Sequence, residues 1–254
     1  MIKELKPYIL FFVLLLYCLK PNITQSQYIT SNEPNNLSLS PMPYGLNFKL
    51  PGSLLERKEY KMAAREYRKL IITIENLKND TSPVNNLNQI LARAYMGLGF
   101  SLDYLNEDRE ALAFLKKSIE MDPSLRDHLM LQTTIGAIYG DLGLKQDEIV
   151  HYRKIIKINP SFYQAYFNLA LALGDMGKMN EAINILKEAI IIKPTYAKAY
   201  LQLAKGSEAV GSIDNAIGYY LMAKQLYSKL GRIDIEKEIH LRLNQLLKKF
   251  GKTI

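Results

Sequence analysis

The stretch Tyr163–Tyr196 limits what this 254-residue chain can fold into more than any other part of it. Apolar and small residues recur there at intervals of three and four, as amphipathic helices require. Two such patterns meet at Gly174-Asp175-Met176-Gly177, and the second runs out at Lys193-Pro194. A helical hairpin of 34 residues cannot bury its own apolar face, so it needs neighbours of its own kind. The chain supplies them on both sides.

Pro123, Pro160 and Pro194 end equivalent helices at spacings of 37 and 34 residues, and Ser228 holds the next equivalent position. A small residue recurs midway along each first helix: Gly99, Gly136, Ala170 and Ala204. A second recurs early in each second helix: Ala63, Ala111, Ala182 and Ala216. Small side chains at both points let paired helices approach closely, and proline stops the second helix by removing a donor. Three features depart from the pattern. Glu148 stands where the other copies have alanine, which predicts a splayed pair or a charge turned to solvent. Ser228 in place of proline predicts a last helix that continues differently. Arg126-Asp127-His128 is an insertion that lengthens one connection and twists the stack slightly there.

In these residues the chain closely resembles the tetratricopeptide repeat family. The clearest copy carries Tyr166, Leu169, Ala170, Leu173, Ala182, Leu186, Ala189 and Pro194, and the next carries Tyr200, Leu203, Ala204, Ala216, Tyr220 and Ala223. Upstream copies carry Ile135, Gly136, Tyr139, Tyr152 and Pro160, and before them Tyr95, Leu98, Gly99, Ala111, Leu115 and Pro123. Tyr60, Ala63 and Tyr67 look like the second helix of a degenerate first copy. The resemblance implies an all-α fold: a right-handed α-solenoid of helical hairpins with a C-terminal capping helix.

The expected organisation has four parts. Residues 1–26 form a signal peptide or membrane anchor, because Lys3 and Lys6 precede an uninterrupted apolar run of twelve residues, Tyr8–Leu19. That length falls short of the roughly 20 residues a span needs and suits the apolar core of a leader. Thr24 and Ser26 place a cleavage before Gln27. Cys18, the single cysteine, follows tyrosine where a lipidation site would have a small residue, so a plain leader or anchor is the better reading. Residues 27–50, rich in Asn, Ser, Pro and Gln, read as a flexible polar linker. Asn22, Asn36 and Asn79 begin glycosylation triplets, which are common by chance. Residues 51–230 form the repeat array, beginning with one long helix over Leu55–Leu77. Residues 231–254 form the cap, with Ile235, Ile239, Leu243, Leu246, Leu247 and Phe250 on one face.

Charge gathers at that end. Residues 224–254 hold eight Lys or Arg against three Asp or Glu, five of the chain's net eight positive charges. Lys248, Lys249 and Lys252 could meet anionic lipid, nucleic acid or an acidic partner, but a soluble cap with its charged face in water is the better reading, because no aromatic interleaving or nucleic-acid module accompanies them. Nucleic acid is not expected as a partner.

No catalytic constellation is visible. His128, His151 and His240 are scattered and lack metal-ligand spacing. There is no phosphate loop, nucleophile elbow or zinc-protease helix. Asp141, Asp175 and Glu181 read as carboxylates placed to suit helix dipoles. The expectation is a protein that is not an enzyme, with no catalytic residue, metal or cofactor.

What remains is a surface for a protein or peptide partner. The resemblance implies that the first helix of each repeat lines a concave groove. Carried onto this chain, the groove residues are Phe100, Asp103, Tyr104, Thr133, Ala137, Gln164, Phe167, Asn168, Leu171, Lys198, Leu201, Gln202 and Lys205. One subfamily clamps a terminal carboxylate. Asn168 and Lys198 match two of its positions, while Thr133, Ala137 and Gln202 break the rest, so no clamp is expected. The leading reading is an adaptor, exported or membrane-anchored, in the envelope or periplasm of a bacterial cell ahead of the cytoplasm. Membrane association would come through the N-terminal run. The alternative is a structural subunit of an envelope assembly or secretion complex, bound through outer or end faces.

Overall fold

The computed structural model describes residues 46–79 and 86–252. The expected leader, Cys18, most of the polar linker and the triplets at Asn22 and Asn36 lie outside the described residues. Among the described residues there are eleven α-helices and no strand: α1 (Lys49–Glu56), α2 (Tyr60–Asn79), α3 (Leu87–Tyr104), α4 (Asp108–Met121), α5 (Leu129–Asp141), α6 (Lys145–Ile158), α7 (Tyr163–Asp175), α8 (Met179–Ile192), α9 (Ala197–Ala209), α10 (Ile213–Lys229) and α11 (Ile233–Phe250). Successive helices pack as antiparallel neighbours, and odd helices also touch odd ones, α1 on α3 and α3 on α5. The result is an all-α solenoid.

The turns explain the regularity. Every odd-to-even turn holds one residue at positive φ: Lys58, Asn106, Gly143, Gly177 and Gly211, with φ from +59° to +77°. The next residue donates its N–H to the carbonyl five residues back, as Lys178 does to Leu173 at 2.9 Å and Ser212 to Ser207 at 2.8 Å. This closes the orphaned carbonyls of the helix end, and glycine adopts the required left-handed backbone at no steric cost. The α10–α11 turn also holds a positive-φ residue, Gly231 at +67°, whereas three other even-to-odd turns share a second form. Asp122, Asn159 and Lys193 sit at φ −134°, −132° and −129°, each before its proline. Proline forces its predecessor out of the helical region, so α4, α6 and α8 stop there. At Ser228 nothing forces the stop, and α10 runs on to Lys229.

Within each hairpin the small positions are points of contact. A Cβ on Gly99 would lie 2.5 Å from Leu115, and one on Gly136 would lie 2.7 Å from the Tyr152 ring. Ala63, Ala111, Ala182 and Ala216 are all buried. The apolar core falls into three segments, running from Leu46 to Ile138, from Ile149 to Leu203 and from Ala197 to Leu246. The first break falls between α5 and α6.

Several expectations change. Lys58 divides the expected helix Leu55–Leu77 into α1 and α2, so the first copy is a complete hairpin with a short first helix. Leu46 and Phe48 are already packed in the core, so the folded body begins ahead of Pro51. The insertion after Pro123 is a 3₁₀ turn (Pro123–Asp127), after which His128 caps α5 by accepting from the Leu131 N–H. Phe250 leaves the apolar face of α11 and is exposed, whereas Ile239, Leu243 and Leu246 are buried.

The α5–α6 pair approaches less closely than α3–α4, α7–α8 and α9–α10 do, as expected, but Glu148 is not turned to solvent. It is 7% exposed, and Lys145 donates to it at 3.0 Å. Its carboxylate occupies the space that a side chain at Gly140 would need, since a Cβ there would lie 2.8 Å from Oε2. Burial raises the Glu148 pKa above the usual carboxylate value, and the Lys145 ammonium only partly offsets that. Beside it His151 lies with Nε2 2.8 Å from the Gln132 carbonyl oxygen, so the proton sits on Nε2 and donates. Burial lowers the His151 pKa, and Lys154 and Lys116 lower it further against the Gln132 bond.

Two predictions follow from this packing. Ala182 occupies the Glu148 position one repeat on, opposite Gly174, but Met179 stands where Lys145 would be. Ala182→Glu therefore buries an unpaired charge and should cost roughly 3 kcal/mol. Adding Met179→Lys should return part of that in a thermal melt; no recovery would show that the local pairing does not govern the site. For His151, the folded pKa lies below the unfolded one, so its contribution is complete above about pH 6.5 and is lost as pH falls below that value. Across this window His151→Phe should lose less melting temperature than the wild type, and parallel curves would contradict the assignment.

Candidate functional site

The odd helices α3, α5, α7 and α9 carry the thirteen residues expected to line a binding face. The structure sorts them by depth. Phe100, Thr133 and Phe167 are buried, and the other ten keep partial exposure. Phe167 lies beneath Tyr196, with ring centroids 5.2 Å apart at 68°, and Tyr163 meets the same ring at 4.8 Å. Thr133 turns its hydroxyl back to the Leu129 carbonyl at 2.7 Å, satisfying itself within α5. These three side chains support the face and do not present themselves on it.

Gln164, Asn168 and Leu171 on α7 recur at the 34-residue period as Lys198, Gln202 and Lys205 on α9, with Leu201 between. All are partly exposed, which makes this pair of helices the richest part of the face. Gln164 Oε1 is buried and accepts no hydrogen bond among the described residues. At the other end Tyr104 stacks on Tyr60 at 4.2 Å and 5°, and burial pushes its hydroxyl pKa up to about 12. Asp103 lies beside it, and Ala137 leaves α5 low and featureless between the two ends.

Electrostatics divides the face further. Asp141 and Asp175 end α5 and α7, at the negative pole of each helix, and so do not complement the dipole as expected. Asp175 is offset by Lys145, which donates to it at 2.9 Å while also holding Glu148. Asp141 has no such relief and helps burial to raise the pKa of Asp108. Glu208 on α9 accepts from Arg242 Nε at 3.1 Å and from the Tyr220 hydroxyl at 3.0 Å. Burial lowers the pKa of Lys205 against a nearby Glu238, and that of Lys198 with help from Arg232. Asp175 and Glu208 are thus held by cations from neighbouring helices, and α9 carries the two half-buried ammonium groups of Lys198 and Lys205.

Sequence reasoning missed Tyr163, Tyr196 and Arg242. A signal for each was present. Phe162 and Tyr196 stand 34 residues apart just before α7 and α9, and Glu208 and Arg242 are also separated by 34. Arg232, Glu238 and Arg242 meet Lys198, Lys205 and Glu208 in ascending order, so α11 runs parallel to α9 as a further odd helix. Among the described residues no three His, Cys, Asp or Glu side chains gather as a metal site would require.

The depth ordering is testable by stability. Phe167→Ala should cost about 3–5 kcal/mol by opening a cavity under Tyr196. Asn168→Ala should stay within about 0.5 kcal/mol, as surface substitutions do. Equal melting temperatures for the two variants would show that Phe167 is not packed as described.

Two segments match sequence profiles described as tetratricopeptide repeat, residues 92–125 over α3 and α4, and residues 151–184 from α6 through α7 into α8. No curated protein gives a significant sequence match. Among solved structures, a crystal structure of MamA superposes with TM-score 0.59 at 23% identity, covering 73% of this chain and 99% of that one. MamA from Desulfovibrio magneticus RS-1 gives 0.58 at 17%, covering 71% and 92%. YrrB gives 0.52 at 18%, covering 70% and 82%. These likenesses are of fold. The periodic residues, the recurring turns and the two profile matches together show that this chain carries tetratricopeptide repeats.

Proposed function

We propose that this protein is a non-enzymatic interaction adaptor that holds a segment of another protein along the odd-helix face, centred on α7 and α9. The observation that carries the reading is the strip Gln164, Asn168, Leu171, Leu201, Gln202 and Lys205. It combines side-chain amides, aliphatic contact and an ammonium group on one partly exposed surface. Amides pair with the backbone of an extended or helical peptide, and the leucines supply apolar contact. YrrB is described as having an unusual peptide-binding site. For this chain, the support is its own face.

The proposal includes export or membrane anchoring through the N-terminal apolar run, Tyr8–Leu19. Among the described residues no helix is long and apolar enough to cross a membrane.

The test compares cross-linked capture in the native cell by wild type and by Asn168→Ala/Gln202→Ala/Lys205→Ala. With the melting temperature preserved, the triple variant should lose its partner by tenfold or more, since each contact is worth about 1 kcal/mol. Capture of the same partner at the same yield would reject the odd-helix face. It would move the interface to the outer or end faces that a structural subunit uses.

A further inference from the structure

The outer face of the terminal helix is built differently from the rest of the surface. Ile233, Lys237, Leu241 and Lys248 follow one another at helical spacing, all within an arc of about 80° at 100° per residue. All four are exposed, with Ile233 at 58% and Leu241 at 61%. Leu230, in the turn ahead of α11, is 64% exposed. Two shallow depressions of about 370 and 390 Å³ lie between this face and α10. Lys224, Lys237, His240 and Leu241 line the first, and Lys224, Lys229 and Leu221 the second. Glu236 is the only carboxylate lining either one.

The charge at this end is not consumed by pairing. Arg232 is held by Asp234, Arg242 by Glu208 and Lys252 by Asp214. Lys224, Lys229, Lys237, Lys248 and Lys249 pair with no carboxylate among the described residues. Lys224 instead lies 3.3 Å from His240 Nδ1. Stacking on another hairpin of this family would call for an apolar face with few charges. An acidic protein surface would meet the lysines and leave Leu230, Ile233 and Leu241 in water.

We infer that the outer face of α11, with the adjoining rim of α10, is a docking surface for an anionic phospholipid bilayer. Leu230, Ile233 and Leu241 enter the boundary between headgroups and acyl chains. The lysines extend their stems along it and place their ammonium groups among the lipid phosphates. Each lysine near such a surface adds to the attraction, and all of it is screened by salt. The surface is separate from the α7–α9 strip and does not depend on the occupant of that strip.

The test is co-sedimentation of the full chain with phosphatidylcholine vesicles, with and without phosphatidylglycerol. The N-terminal apolar run is present in every variant, so differences between variants report on the α11 face. Lys224→Glu/Lys237→Glu/Lys248→Glu should weaken partitioning into the phosphatidylglycerol vesicles about a hundredfold and leave the neutral vesicles unaffected. A control with the same charge change on even helices, Lys154→Glu/Lys157→Glu/Lys187→Glu, should retain most of the binding. Ile233→Ser/Leu241→Ser, which keeps every charge, should weaken partitioning without changing its salt dependence, and it serves if the charge reversal unfolds the cap. The inference is overturned if the α11 variants partition like wild type or if the control loses as much. It is equally overturned if the face cross-links an acidic protein while ignoring the vesicles.

Discussion

The close approach of two helices at a small residue is the contact on which this structure depends. Gly99 admits Leu115 and Gly136 admits the Tyr152 ring, at distances where even a methyl group would collide. Ala170 and Ala204 hold the same positions in the later hairpins and are buried. A large side chain seated over a small one fixes both the separation and the axial register of a pair. The turns then have no freedom left. A positive-φ residue reverses the chain on one side, and after α4, α6 and α8 an extended residue before proline reverses it on the other. The partly exposed amides and lysines of α7 and α9 stand together on the odd-helix side.

One hairpin departs from this logic. Between α5 and α6 the core is interrupted by Glu148, Gln132, Thr133 and Thr134, all buried. Glu148 is tolerated because three things coincide: Gly140 gives it room, Lys145 gives it a counter-charge, and Asp175 anchors that lysine from the next repeat. A buried pair of this kind adds little net stability, because the cost of desolvation consumes the Coulomb gain. It does tie the two repeats together through Lys145. His151 adds a group whose folded state favours neutrality.

Much of this was legible in the sequence. The period, the small positions, the proline stops and the continued α10 are local patterns that recur, and repetition makes them readable. The unread parts depend on what a residue meets across space. Lys58 breaks a helix through a backbone conformation that side-chain periodicity does not encode. Glu148 looked like an outward charge because its neighbours Gly140 and Lys145 lie on different helices from one another. Phe167 looked like a groove residue because its period position says nothing about Tyr196 folding over it. The partners of Asp175 and Glu208 went unread because Lys145 and Arg242 reach them from 30 and 34 residues away.

The account makes the odd-helix face the working surface and the even helices its support. The most direct measurement places a photo-cross-linking residue at Gln202 on α9 or at Lys187 on α8, one at a time, in the native cell. The account predicts a discrete protein adduct from position 202 and none from position 187. An adduct from position 187 with none from 202 would put the partner on the outside of the solenoid and contradict it.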